Sequence, residues 1–302
     1  MITQFNTAIT RQAILANGDE LASIMGKDRE DGKRVHAYPD SMREWVYEFD
    51  DPVLVTDNWR ISQLAPRIRD TLFSLFSSPK KWMEYDGISV HTSAPYRGVW
   101  SPSIDTLVFA NALRQLFCDR QDFRVACEIG CGSGFLSKYV LHKLPEMNEL
   151  LVNDLNVYAI RCAQDNIQDE RAKFLVGDGL QIISRQKFDL LICNPPYVPR
   201  PNSIDDNAYE GIGLLEHLLS EGRKYLNKKG VLAVNASSLC PKLFEKANAH
   251  VSLCSKNVPL KVNNILNNQR WMAYLRKLGL KYDNKNGYEY WHNINIVAIH
   301  NN

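Results

Sequence analysis

The chain has 302 residues, a formal net charge of +2 and 45% apolar residues, which is more than one ordinary domain, less than three, and enough for a substantial core. No apolar run approaches the ~20 residues of a membrane-spanning helix. Met1 to Arg11 has neither the basic start nor the apolar centre of a signal peptide, so a cytoplasmic protein without membrane contact is expected. The seven cysteines form no Cys-x-x-Cys pair and the seven histidines show no helical metal spacing. No disulfide and no metal site are expected, and Cys127 and Cys131 read as small buried fillers.

In chain order, Thr10 to Met25 reads as a helix with Leu15, Leu21 and Ile24 on a partial apolar face, and the charged stretch Lys27 to Lys33 as a loop. A further helix is expected near Ile61 to Phe76, then a hairpin over Lys81 to Val90 turning at Asp86-Gly87. Residues 1–95 therefore read as a smaller, mainly helical domain. After Trp100, the sequence Ser101-Pro102-Ser103-Ile104-Asp105-Thr106 reads as a helix start. Ser101 or Ser103 is the N-cap, Asp105 lies in the first turn, and Leu107, Phe109, Ala110, Leu113 and Leu116 follow.

From here strands and helices alternate, with strands near 124–130, 149–154, 173–177, 188–193 and 230–236. Alternation of this kind implies an α/β parallel sheet with helices on both faces and ligands at the carboxyl ends of the strands. The first strand runs into Glu128-x-Gly130-x-Gly132-x-Gly134. Glycines serve where φ is positive or where backbone must approach a ligand without a Cβ. The spacing departs from the dinucleotide fingerprint G-x-G-x-x-G, and Glu128 suits the positive end of a cofactor better than a phosphate. A sulfonium nucleoside with an amino-acid tail fits. The second strand ends at Asp154, where a carboxylate can bond both ribose hydroxyls; Asp154 or Asn156 also reads as an N-cap for the helix through Ile160, Ala163 and Ile167. The third leads to Asp178-Gly179, either a ligand to an adenine amino group or a plain Asp-Gly turn.

The fourth strand ends in Asn194-Pro195-Pro196-Tyr197. An amide or exocyclic amino nitrogen is a poor nucleophile because its lone pair is delocalised. The Asn194 side-chain carbonyl and the Pro195 carbonyl can accept its two N–H protons, a proline brings no competing N–H, and Tyr197 offers a face for a flat group to stack on. The lone pair is then aimed at an incoming methyl. The same residues also read as a turn that ends a buried strand.

These motifs, in this order and spacing, resemble the class I S-adenosylmethionine-dependent methyltransferases. Phe188 to Pro199 resembles the protein-glutamine methyltransferases of the HemK/PrmC type, and Pro102 and Thr106 resemble the Pro-x-x-acid-Thr segment that precedes their cofactor domain. The resemblance covers about 98–240. It implies a Rossmann-like sheet over 96–302 and S-adenosyl-L-methionine as cofactor, bound by Glu128, Gly130, Gly132, Gly134, Asp154, Asp178, Gly179, Asn194, Pro102 and Thr106. Asn194, Pro195, Pro196 and Tyr197 would act on a planar NH2 group. The implied partner is a protein such as a translation factor, with residues 1–95 helping to choose it. DNA and RNA N-methyltransferases share the tetrapeptide, so RNA or DNA is the alternative acceptor, followed by a small molecule and, last, a scaffold that only binds the cofactor.

Past the fifth strand, the sequence departs from a simple enzyme of this kind. A helical stretch is expected over Val262 to Leu280, then the aromatic run Tyr288 to Trp291 and a late strand at 294–299 completing the sheet's edge. Residues 241–302 carry nine Lys or Arg against three Asp or Glu. Basic charge interleaved with Trp271, Tyr274, Tyr282, Tyr288, Tyr290 and Trp291 suits nucleic acid. It equally suits an amphipathic helix with Ile265, Trp271, Leu275 and Leu278 facing the core. Oligomeric state is not readable.

Overall fold

The computed structural model describes residues 45–47, 52–54, 80–93, 99–100, 102, 104–201, 211–246, 250–260, 263–266, 268–285 and 288–301. The helices expected over Thr10 to Met25 and Ile61 to Phe76, the loop Lys27 to Lys33, and the capping serines Ser101 and Ser103 lie outside them. Strands β1 (Trp45–Tyr47) and β2 (Pro52–Leu54) pair antiparallel.

The hairpin forms as expected, β3 (Lys80–Tyr85) against β4 (Ile88–Ser93). Asp86 and Gly87 both have positive φ, 50° and 78°, as in the two-residue turns whose twist matches the flanking strands. Asp86 is buried; it accepts the Tyr139 hydroxyl at 2.9 Å and pairs with Lys143 Nζ at 2.8 Å. Asn166 exchanges two bonds with the His91 backbone, at 3.0 and 2.9 Å. The hairpin is thus bound to two helices, α2 (Phe135–Lys143) and α3 (Val157–Asn166).

The main sheet has eight strands. Five pair in parallel in the order β9 (Leu226–Ser237), β8 (Phe188–Cys193), β5 (Val125–Ile129), β6 (Glu149–Asp154), β7 (Ala172–Val176). Beyond β9 lie β12 (Tyr288–His300), antiparallel to it, and β10 (His250–Pro259) at the edge; β11 (Lys281–Lys285) also pairs with β12. The late strand is therefore longer than expected and interior. The edge belongs to β10, whose mixed sequence and bulge between Ser252 and Cys254 hide it from a search for apolar runs, as befits a strand paired on one side only.

The apolar runs of β8 and β9 follow from burial on both faces. Successive side chains point to opposite sides. Leu190, Ile192, Val231 and Ala233 join one core with the helix α1 (Ile104–Asp119), α2 and α3, while Leu191, Cys193, Leu232 and Val234 join the other with Leu215, Leu218 and Leu219 of α5 (Gly213–Glu221). Burying each such Leu or Ile contributes roughly 2 kcal/mol. The short helix α4 (Gly179–Ile183) follows β7, and α6 (Pro241–Lys246) follows β9.

The stretch expected to be helical over Val262 to Leu280 holds two helices, α7 (Asn263–Leu266) and α8 (Gln269–Lys277). Asn268 caps α8 by accepting Trp271 N at 3.0 Å, and its end turns through Gly279 with Leu280 N bonded to Leu275 O at 3.0 Å, closing off its last carbonyls. Ile265, Trp271 and Leu275 are buried as the amphipathic reading expects, Leu278 is half-buried, and Arg270, Arg276 and Lys277 are exposed. These apolar residues form a satellite core with Leu239 and Leu260, against which Val198 packs.

Candidate functional site

Strand order reverses on either side of β5, so a crevice opens at the carboxyl ends of β5 and β8, where open α/β sheets bind ligands. The glycine turn leaves β5 there. Gly130 and Cys131 both donate to Asn153 O, at 2.9 Å each. Asn153, buried at the end of β6, also donates from Nδ2 to Leu175 O and Gly177 O at 3.1 and 2.9 Å. One asparagine thereby ties three strand ends together.

The glycines do different work. Gly134 (φ 80°) starts α2, and a Cβ there would lie 2.9 Å from Ala163 Cβ, so its absence permits α2 and α3 to meet. Gly130 (φ 74°) is exposed, with nothing within 4 Å of where a Cβ would stand, so it faces open space at the end of β5. Gly132 donates to Asp154 Oδ2 at 3.0 Å, and the Trp100 carbonyl lies over it. Gly179 sits close against Ile129 and Asn153, a packing position.

Glu128 is buried, and its Oε2 accepts the Ser137 hydroxyl on the first turn of α2. Burial pushes its carboxyl up to about 8, against the pull of the Ser137 bonds. Asp154, half-buried, accepts Asn156 N at 2.8 Å through Oδ1 and Gly132 N through Oδ2. Burial raises its pKa, partly countered by these amides. With the Leu155 amide also bonded to it, the carboxylate has about four acceptor sites for three backbone donors and so can still accept a further one. It is Asn156, not Asp154, that caps α3, accepting Tyr158 N at 2.9 Å. Asp178 is exposed and caps α4 through Leu180 N at 2.9 Å. Around these acids stand the exposed apolar side chains Leu155, Val157 and Val176, suited to a flat base and its sugar.

Across the crevice, Asn194 is half-buried with both ends of its amide bonded: Nδ2 donates to Asp105 Oδ2 at 3.0 Å, and Oδ1 accepts Asn235 Nδ2 at 2.8 Å. Pro195 is buried, Pro196 and Tyr197 half-buried. Burial, and the bond from its hydroxyl to Asp105, push the Tyr197 phenol well above its ordinary range. Its ring lies 6.0 Å from that of His292, which stands 2.8 Å by Nδ1 from Ser237 Oγ. Burial pulls His292 down to about 4, so the ring is neutral at pH 7. Pro102 and Thr106 are half-buried in the same segment as Asp105, which spans from the glycine turn to the Asn-Pro-Pro-Tyr loop. That loop rests on the satellite core, with Trp271 Nε1 donating to Pro199 O at 2.8 Å.

Asn153, Asn235, Ser237 and His292 belong to no motif of the sequence, and Asp105 stands in it as a first-turn acid and as the acid of the Pro-x-x-acid-Thr segment, without a link to Asn194. The signal available was a buried-strand pattern interrupted by one polar residue, as in Val234-Asn235-Ala236.

The family model of the methyltransferase small domain matches residues 103–262, more than half of the chain. The chain belongs to the methyltransferase small domain family. Its α/β sheet is that of a class I methyltransferase, with S-adenosylmethionine as cofactor. The ribosomal RNA small subunit methyltransferase C of Buchnera aphidicola is 33% identical over 126 residues, 39% of this chain and 35% of its own length. Release factor glutamine methyltransferases of Aquifex aeolicus and Clostridium acetobutylicum are 24% and 25% identical, over 46% and 51% of this chain and 54% and 60% of theirs. The chain thus spans between about a third and three fifths of these relatives. Among the described residues no helix is long and apolar enough to cross a membrane.

Proposed function

We propose that the chain is an S-adenosylmethionine-dependent N-methyltransferase that acts on a planar NH2 group, foremost the side-chain amide of a protein glutamine. The observation that carries this reading is the half-buried Asn194 amide, held across the crevice from Gly130 and Asp154 with its nitrogen engaged and its oxygen keeping a lone pair. The cofactor supplies a methyl on a sulfonium. Gly130 leaves room for it, Asp154 accepts its ribose hydroxyls, Asp178 meets the adenine amino group, and Glu128 lies nearest its amino-acid end. Asn194 Oδ1 and the Pro195 carbonyl hold the substrate's two N–H protons, and Tyr197 packs on its plane. Catalysis comes from alignment and from steadying the nitrogen's developing positive charge.

A nucleic-acid amino group is the second reading, favoured by one observation. The helix bonded beneath the Asn-Pro-Pro-Tyr loop, α8, presents Arg270, Arg276 and Lys277 to solvent, a pattern suited to phosphates. Residues 1–95 would then select the acceptor in either case.

The test is incubation of the pure chain with methyl-labelled S-adenosylmethionine and extract of a methylation-deficient strain. Label released by protease supports a protein acceptor, with glutamine the first residue to check by mass spectrometry. Label released by nuclease overturns it in favour of nucleic acid, and label in small soluble products overturns both.

A further inference from the structure

An asparagine amide is nearly symmetric in shape and opposite in function at its two ends: the oxygen only accepts, the nitrogen only donates. If Asn194 is to receive a substrate NH2, its oxygen must face that group; the reversed amide would set donors against donors. Rotation about the last side-chain bond separates the two arrangements, so something must decide between them.

We propose that Asp105 is the positioning residue that decides it, fixing the Asn194 amide so that its oxygen meets the substrate. This deepens the N-methyltransferase reading and rests on it. Asp105 stands 89 residues away in sequence, on the first turn of α1, and its Oδ2 lies 3.0 Å from Asn194 Nδ2. An ionised carboxylate accepts and never donates, so only the nitrogen end can face it. The order then propagates. With Asn194 fixed, its oxygen demands a donor from Asn235, whose Nδ2 is 2.8 Å away. Asn235 is fully buried and its own Oδ1 has no hydrogen-bond partner among the described residues.

A buried acceptor without a partner is unfavourable and calls for an explanation. Turning Asn235 over would set its oxygen against the oxygen of Asn194. The orphan is therefore what a one-way chain leaves at its far end: Asn235 donates to Asn194, and Asn194 donates to Asp105. The same carboxylate receives the Tyr197 hydroxyl, so a single group orients both the amide that holds the substrate nitrogen and the ring on which its plane rests.

The decisive variant is Asp105→Asn, which keeps the side chain's shape but no longer specifies the amide's direction; a role in packing alone would survive it. With S-adenosylhomocysteine bound to the full chain, asparagine-selective 15N labelling shows the Asn194 side-chain NH2, assigned by its loss in Asn194→Asp. In Asp105→Asn this signal is expected to move and broaden, with melting temperature and S-adenosylhomocysteine affinity nearly unchanged. Labelled methyl transfer into extract should fall at least about tenfold in kcat rather than in KM. The double variant Asp105→Asn with Asn194→Asp places an obligate acceptor at 194 and a donor at 105, and should transfer faster than Asn194→Asp alone, in which two carboxylates collide. An unmoved Asn194 signal and an undiminished rate in Asp105→Asn would overturn the proposal. A signal that moves as expected in a protein whose wild type transfers no methyl would support the orientation by Asp105 and overturn the N-methyltransferase reading instead.

Discussion

The two ends of the same sheet are built from the same residue types and treat them oppositely. At the amino end, Asp189 accepts Arg124 N and Val125 N at 2.9 Å through one oxygen and Asn227 Nδ2 at 2.8 Å through the other. Arg171 donates there to Leu141 O, Leu144 O and Pro145 O while pairing with Asp169, whose pKa that bond lowers. At the carboxyl end, burial holds Glu128 and Asp154 above their ordinary range and His292 below its own, and Asn235 Oδ1 is left unpaired. Polar groups matched to one another stabilise the amino end; at the carboxyl end, burial displaces the same kinds of group from their ordinary titration.

Substitutions should separate the two ends. The largest effect is expected from Asn194→Ala, which should lower the rate of labelled methyl transfer by about 100-fold or more while S-adenosylhomocysteine affinity stays nearly intact; loss of affinity instead would remove Asn194 from the substrate side. Asp189→Ala should do the converse, lowering unfolding stability by about 2 kcal/mol through its unmatched amides, read by denaturant melting, with cofactor affinity unchanged.

Glu128 makes a pH prediction. Its carboxyl is raised in the folded chain, so folding favours the protonated form; the stability this contributes is present below the ordinary value of 4.5 and is lost as pH rises to about 8. The melting temperature of the wild type should accordingly fall relative to Glu128→Gln across that window and run parallel to it above. A constant difference would mean that Glu128 stays ionised. The smallest effect belongs to Asp178. Asp178→Ser keeps the cap on α4 and removes the acid, so cofactor affinity should drop about fivefold, roughly 1 kcal/mol, without a change in melting temperature. Unchanged affinity would leave Asp178 as a cap alone.

The carboxyl end was largely legible in the sequence because its residues are local motifs: a glycine turn, an acid after each of two strands, and a tetrapeptide after a third. The bounds of β6 and β8 follow directly from their apolar runs. What was not legible depends on contacts distant in sequence. Asp105 gains its meaning from Asn194, Asn235 reads as one polar residue in a buried strand until the sheet pairs it, and His292 directly follows an aromatic run whose pairing partner the sequence does not name. The edge strand β10 escaped notice because pairing on one side only leaves it free to be polar. The amino-end bonds of Asp189 and Arg171 carry no motif at all, since backbone carbonyls and amides accept partners of any sequence.

The most direct measurement is calorimetric titration of the full chain with S-adenosylhomocysteine, in the wild type and in Asp154→Ala, Asn194→Ala and Asp189→Ala. Binding at one site is expected, weakened about 10- to 100-fold in Asp154→Ala by the loss of charge-assisted hydrogen bonding to the carboxylate and retained in the other two. No binding by the wild type, or equal loss in all three variants, would contradict a cofactor site at the carboxyl end of the sheet.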